Sequence, residues 1–217
     1  WVSAANALVS SDCGIDFYAG PTEILIVTAS GPAAWIAADL IAQAEHDTDA
    51  RAVFITWNHR LADRVAAEVK RQMPATGPAQ QALARHGGII VCRRADEAIA
   101  LANEAASEHL VVGTEALARL VWNAGAVFVG GWTAQVAGDY AIGSNHVLPT
   151  AGAARYRGGL NAADFVKLVS VQRMTQKGLG RVAGTTTALA RAEGLEAHAR
   201  SIEVRLKAEG RRLKAED

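Results

Sequence analysis

The sequence predicts an α/β fold: a Rossmann-like, mainly parallel sheet with helices on both faces, followed by a helical C-terminal tail. Three observations carry this reading. Short, continuous apolar runs rich in β-branched residues recur between turn residues, as in strands buried on both faces. Segments of helical period separate them. From Asn161 onward the strand-like runs stop and the composition shifts.

In chain order, Trp1 to Leu8 has helix-compatible spacing, broken by Asp12-Cys13-Gly14 before the apolar run Ile15 to Tyr18 and the Gly20-Pro21 turn. Glu23 to Thr28 reads as a strand. Pro32 then opens a helix whose apolar stripe is Trp35, Ile36, Leu40 and Ile41. The pattern repeats with strand Ala52 to Thr56, helix Arg60 to Met73, strand Gly88 to Cys92 and helix Ala95 to Ala106. Strand Leu110 to Val112, helix Glu115 to Trp122 and strand Ala126 to Val129 complete the layer. Three helical stretches follow, Asp164 to Thr175, Gly180 to Ala192 and Leu195 to Leu213. In the last, Ile202, Leu206 and Leu213 form a narrow apolar stripe that suits a helix leaning on a partner.

A chain of 217 residues can bury a sizeable core. Its 22 basic and 22 acidic side chains cancel, so neither nucleic acid nor a membrane surface is an expected partner. A small neutral or zwitterionic ligand fits better. No apolar run reaches the roughly 20 residues of a membrane span. Cys13 and Cys92 are too few for a disulfide framework or a cysteine-rich zinc site, which suits the cytoplasm. The chain starts at Trp1 with no capping lead-in, so a fragment lacking its N-terminal part is expected. After the first strand, Ala29-Ser30-Gly31-Pro32 carries one glycine, and the dinucleotide fingerprint is absent.

The polar stretch from Ala137 to Pro149 reads as a site loop, with Gly138 and Gly143 shaping the turn that presents Asp139 and His146. An oxygen from Asp139 and imidazoles such as His146 and His198 form a mixed set that suits zinc or a related divalent ion. Gln43 and His46, three apart near a helix end, project from one face; for His46 alone, pairing with the helix dipole is the competing reading. Glu108-His109, placed at an edge of the sheet, suits proton transfer, although most such dipeptides are solvated surface pairs. His59, opening a helix, and His86, ending one, read as ordinary surface positions.

Taken together, Gly20-Pro21-Thr22-Glu23, Gln43-Ala44-Glu45-His46, Ser107-Glu108-His109-Leu110, Gly138-Asp139-Tyr140-Ala141, Asn145-His146-Val147-Leu148-Pro149-Thr150 and Glu193-Gly194-Leu195-Glu196-Ala197-His198 resemble histidinol dehydrogenase in order and spacing. The resemblance spans almost the whole chain. It implies a zinc- and NAD-dependent oxidation of L-histidinol to L-histidine through L-histidinaldehyde, the end of histidine biosynthesis, in a cytoplasmic homodimer whose sites are shared between subunits. It further implies one zinc per site, held by Gln43, His46, Asp139 and the partner's equivalent of His198, with Glu108 and His109 as acid/base pair. Thr22, Gln43, His46, His109, Asp139, Glu193 and His198 would contact substrate, with His146 of second rank.

The family's N-terminal half is not matched, so residues 1–22 would end an NAD-side domain, 23–160 form the Rossmann-like domain, and 161–217 the dimerising tail. The isolated chain is therefore expected to bind NAD weakly or not at all. Two rival readings stand beside this one: a metal-dependent hydrolase, which needs the same zinc, base and activated water, and a non-catalytic dimerisation or ligand-binding remnant.

Overall fold

The structure, a computed structural model, describes residues 1–16, 18–143 and 145–212. Phe17, in the expected Ile15 to Tyr18 run, Ser144 in the polar stretch and Leu213 of the tail stripe lie outside the described residues. Two compact units are present, Trp1–Val166 and Lys167–Asp217.

In the first unit α1 (Val2–Val9) precedes a sheet of β1 (Glu23–Val27), β2 (Arg51–Thr56), β3 (Gly87–Val91), β4 (His109–Val112) and β5 (Ala126–Val129). All pairings are parallel, in the order β3-β2-β1-β4-β5. Every residue of β1 and β4 is buried, because both faces of the central strands are covered. Alternation divides the side chains. Ile24, Ile26, Phe54, Val111 and Phe128 pack with Ile36 and Leu40 of α2 (Ala33–Ala44) and Leu61 and Val65 of α3 (His59–Gln72). On the other face, Leu25, Val27, Ile55, Leu110 and Val112 meet Ala98, Ile99 and Ala102 of α5 (Ala95–Ala105). This is the Rossmann-like architecture expected, helices on both faces included.

Local chemistry sets the ends of these elements. Asn58 caps α3 by accepting from the Leu61 N–H, so His59 opens the helix as expected. Between α3 and β3 stands α4 (Ala79–His86), whose end at His86 agrees with the sequence reading; it packs Ala79 and Ala82 against Ile41 and Ala44 of α2.

Three expected elements differ. The helix expected over Glu115 to Trp122 is one turn, α6 (Glu115–Ala118). Buried Asn103 explains this: its side chain donates to the Leu120 carbonyl and accepts from the Trp122 and Asn123 N–H groups, drawing that backbone out of a helical ladder. The polar stretch is not all loop, since α7 (Val136–Tyr140) carries Asp139, and Gly138 is a buried helical residue there; Gly143, at φ +83°, does make the turn.

The stretch Asp164 to Thr175 is not an α-helix. An Asn161–Asp164 capping box closes a single 3₁₀ turn, Ala162–Phe165, and Val166 is already extended. Val166, Val169 and Val171 beyond it disfavour helix, and Thr175 caps α8 (Gln176–Ala192) by accepting from the Gly178 N–H. In the second unit α9 (Glu196–Arg212) follows a Gly194 turn at φ +75°; its Ile202 and Leu206 are half-buried and its Ala199 is fully buried. Among the described residues, no helix is long and apolar enough to cross a membrane.

Candidate active site

The chemistry-bearing side chains of the first unit gather where β1 and β4 begin. Ile24 of β1 lies beside His109 of β4, so Glu23 and Glu108, each one residue earlier, meet at the N-terminal ends of the two central strands. Nucleotides in such folds are usually taken at the opposite, C-terminal ends. α2 runs back from that far end and returns Gln43 and His46 to the near one, His46 just beyond the helix.

A hydrogen-bond chain then fixes the set. The Thr22 hydroxyl donates to Glu108 Oε2 at 2.5 Å, and the Glu23 N–H donates to the same oxygen at 2.9 Å. Having given its proton to Glu108, Thr22 Oγ1 can only accept from Gln43, which places the amide nitrogen on the Thr22 side. Gln43 Oε1 is thereby left fully buried without a hydrogen-bond partner among the described residues. A buried acceptor left unpaired costs about 1–3 kcal/mol, so this oxygen is a ready ligand for a cation.

Glu108 and His109 are 7% and 4% exposed and β4 is an interior strand flanked by β1 and β5, which overturns their placement at an edge of the sheet and the competing reading of a solvated surface pair. Ring nitrogen Nδ1 of His109 lies 3.1 Å from the Glu23 carbonyl, 3.5 Å from Glu108 Oε2, while Nε2 is 3.7 Å from Asp139 Oδ1. A carbonyl can only accept, so Nδ1 carries a hydrogen, and Nε2 is the ring nitrogen turned toward Asp139 and the cleft. Asp139 Oδ2 accepts from Gln135 Nε2 at 3.3 Å.

Thr22, His46, Glu108, His109, Asp139, Tyr140 and His146 line a cleft of about 510 Å³, and His46, Tyr140 and His146 are exposed. Close packing beneath it depends on Gly125, where a Cβ would stand 2.6 Å from the Glu108 carbonyl oxygen. Glu193 and His198 belong to the second unit, both exposed, at the end of α8 and the start of α9.

Sequence reasoning passed over Glu23. Its N–H and carbonyl bind Glu108 and His109 respectively, and its side chain accepts from the Ala151 N–H at 2.9 Å. Ala151 sits at φ +54°, a costly conformation for a residue with a Cβ, and the adjacent Thr150 accepts from the Gly20 N–H at 2.6 Å. Burial pushes the Glu23 carboxyl above its ordinary range, opposed by the Ala151 bond. The signal was its place beside Thr22 in Gly20-Pro21-Thr22-Glu23, but backbone contacts leave no trace in residue type.

Fold and cleft together define a Rossmann-like α/β protein with a buried carboxylate–imidazole pair at the N-terminal ends of its central strands. Residues 1–206 match the histidinol dehydrogenase family, and the chain belongs to it. Histidinol dehydrogenase of Geobacter metallireducens is 45% identical over 217 residues, covering 97% of this chain and 50% of the relative. That of Bradyrhizobium diazoefficiens is 46% identical over 213 residues, covering 95% and 49%. The crystal structure of histidinol dehydrogenase from Elizabethkingia anophelis superposes with a TM-score of 0.88 at 34% identity, over 97% of this chain and 50% of that one. The chain thus spans about half the length of each of these three relatives.

Proposed function

We propose that this chain carries the metal and acid/base residues of an enzyme that oxidises L-histidinol to L-histidine by way of L-histidinaldehyde, the last steps of histidine biosynthesis. The observation that carries the reading is the orientation of His109: with Nδ1 committed to the Glu23 carbonyl, Nε2 faces the Asp139 side, where it would act as general base. Family membership supplies the substrate.

The donor set suits zinc. Gln43 brings a buried unpaired oxygen, Asp139 a carboxylate and His46 an exposed imidazole, a mixed set of the kind found at catalytic zinc sites. The family resemblance adds a further imidazole, His198, supplied by a partner subunit. When bound, zinc supplies orientation and Lewis acidity toward the substrate's amine and imidazole, and NAD accepts the electrons of both oxidations.

This chain's own residues move the protons. Nε2 of His109 takes the alcohol proton in the first oxidation. In the second, a water must add to the aldehyde, and Glu108 takes its proton. Oε2 of Glu108 is held by Thr22 and Glu23, which leaves Oε1 to accept it. Thr22, Gln43, His46, His109 and Asp139 contact substrate from one subunit, Glu193 and His198 from the other, Glu193 pairing with the substrate ammonium. A homodimer follows from that sharing, residues 161–217 being its contact segment; residues 1–22 belong with an NAD-side domain and 23–160 with the catalytic one. The enzyme works in the cytoplasm, with neither nucleic acid nor membrane as partner. NAD contacts lie mainly outside these residues, so the chain alone binds NAD weakly.

The test is the His109→Ala variant, assayed together with the half of a relative that the chain does not cover. NADH formation from histidinol should fall about 10²–10⁴-fold with zinc content unchanged. Unchanged NADH formation would remove His109 from the base role.

A further inference from the structure

The opposite end of the sheet holds a second cavity that the proposed chemistry does not use. It measures about 120 Å³ and lies among the C-terminal ends of β1, β4 and β5 and the start of α2, lined by Thr28, Gly31, Trp35, Asp39, Gly113 and Gly131 among others. β1 and β4 are neighbours whose connecting helices α2 and α5 pack on opposite faces, so this is the switch-point crevice of the fold, its usual ligand position.

Its chemistry is wrong for a nucleotide. Ser30 spends its N–H on Thr28 Oγ1, and Pro32 has no N–H to offer a phosphate. The volume is well below the roughly 300–1,000 Å³ of drug-sized ligand sites. Asp39, in the second turn of α2, adds a negative charge beyond the first turn, where the helix dipole would favour an anion. The carboxylate makes no hydrogen bond or ion pair among the described residues, and burial raises it from 3.8 to about 6, still ionised at neutral pH. Beside it Trp35, 41% exposed, packs edge-on with Trp132 at 4.9 Å between centroids.

We propose that this crevice is a second ligand site, distinct from the polar cleft, that takes a small organic cation bearing a protonated primary amine. The ammonium pairs with Asp39 and its alkyl stem lies along Trp35, where an aromatic ring adds cation–π attraction. An unpartnered carboxylate in a concave site has a reason to persist if a cation completes it.

Propylammonium is the probe, titrated into the 217-residue chain by calorimetry at neutral pH, with propionate and 1-propanol as controls. Saturable binding with Kd on the order of 1 mM is expected for the amine alone. Asp39→Asn should weaken it at least about tenfold, a change of about 1.4 kcal/mol. Asp139→Asn, altering the polar cleft, should leave it unchanged. Absent or non-saturable binding, equal binding of propionate, binding undiminished in Asp39→Asn, or binding that disappears with Asp139→Asn would overturn the proposal. Since Asp139→Asn reads the cleft independently, failure here leaves the histidinol reading standing.

Discussion

Asp39→Asn is also a sharp probe of what the crevice costs the fold. The carboxyl rises from 3.8 to about 6 with burial as its cause and no cation to offset it. A shift of about 2 units corresponds to roughly 3 kcal/mol, and partial solvent access reduces this to about 1–2 kcal/mol. The sign is set by linkage. Below the unfolded value of 3.8 the group is neutral in both states and burial carries no charge penalty; between 3.8 and about 6 the unfolded chain ionises first, so stability falls as pH rises, and above about 6 the full cost persists. Asp39→Asn removes the charge while keeping the shape. Its stability relative to wild type should therefore grow by about 1–2 kcal/mol between pH 4 and pH 7.5, or about 2–8 °C in Tm for a unit of this size. Thermal unfolding followed by circular dichroism at both pH values measures this. A variant equally displaced at both, or destabilised at pH 7.5, would refute the claim that Asp39 is a half-buried, uncompensated carboxylate.

Three further outcomes follow from the cleft. Gly125→Ala should destabilise by about 1–3 kcal/mol and lower NADH formation together, because its Cβ would meet the Glu108 carbonyl at 2.6 Å; urea unfolding and turnover check it, and a neutral substitution would contradict that packing. Gln43→Leu should keep or raise zinc-free stability, since an unpaired buried oxygen disappears, yet weaken zinc binding at least tenfold, or about 1.4 kcal/mol, by competition with a chelating dye. Mixing His198→Ala with His46→Ala chains should restore part of the activity through hybrid dimers, as coupled turnover measurements would show; no restoration would place each site within one chain.

The sheet was legible because its central strands are buried on both faces, so Glu23 to Thr28 and Leu110 to Val112 read as continuous apolar runs. What failed was decided by neighbours distant in sequence. The shortness of α6 comes from Asn103, and the extended backbone after Phe165 from a capping box and β-branched residues whose spacing also fits a helix. At the site, residue types flagged Glu108 and His109, but not that an interior strand buries them, nor that Glu23 fixes the imidazole by its carbonyl. The unpaired oxygen of Gln43 emerges only once Thr22 is seen giving its proton to Glu108.

The central claim is that the cluster at the N-terminal ends of β1 and β4 oxidises histidinol. The most direct measurement is the stoichiometry of NADH formed per histidinol consumed, with zinc present, by this chain joined to the half of the Geobacter metallireducens relative that it does not cover. The account predicts two NADH per histidinol, lost in both His109→Ala and Asp139→Asn. Histidinol consumed without NADH, or undiminished NADH formation in those variants, would contradict it.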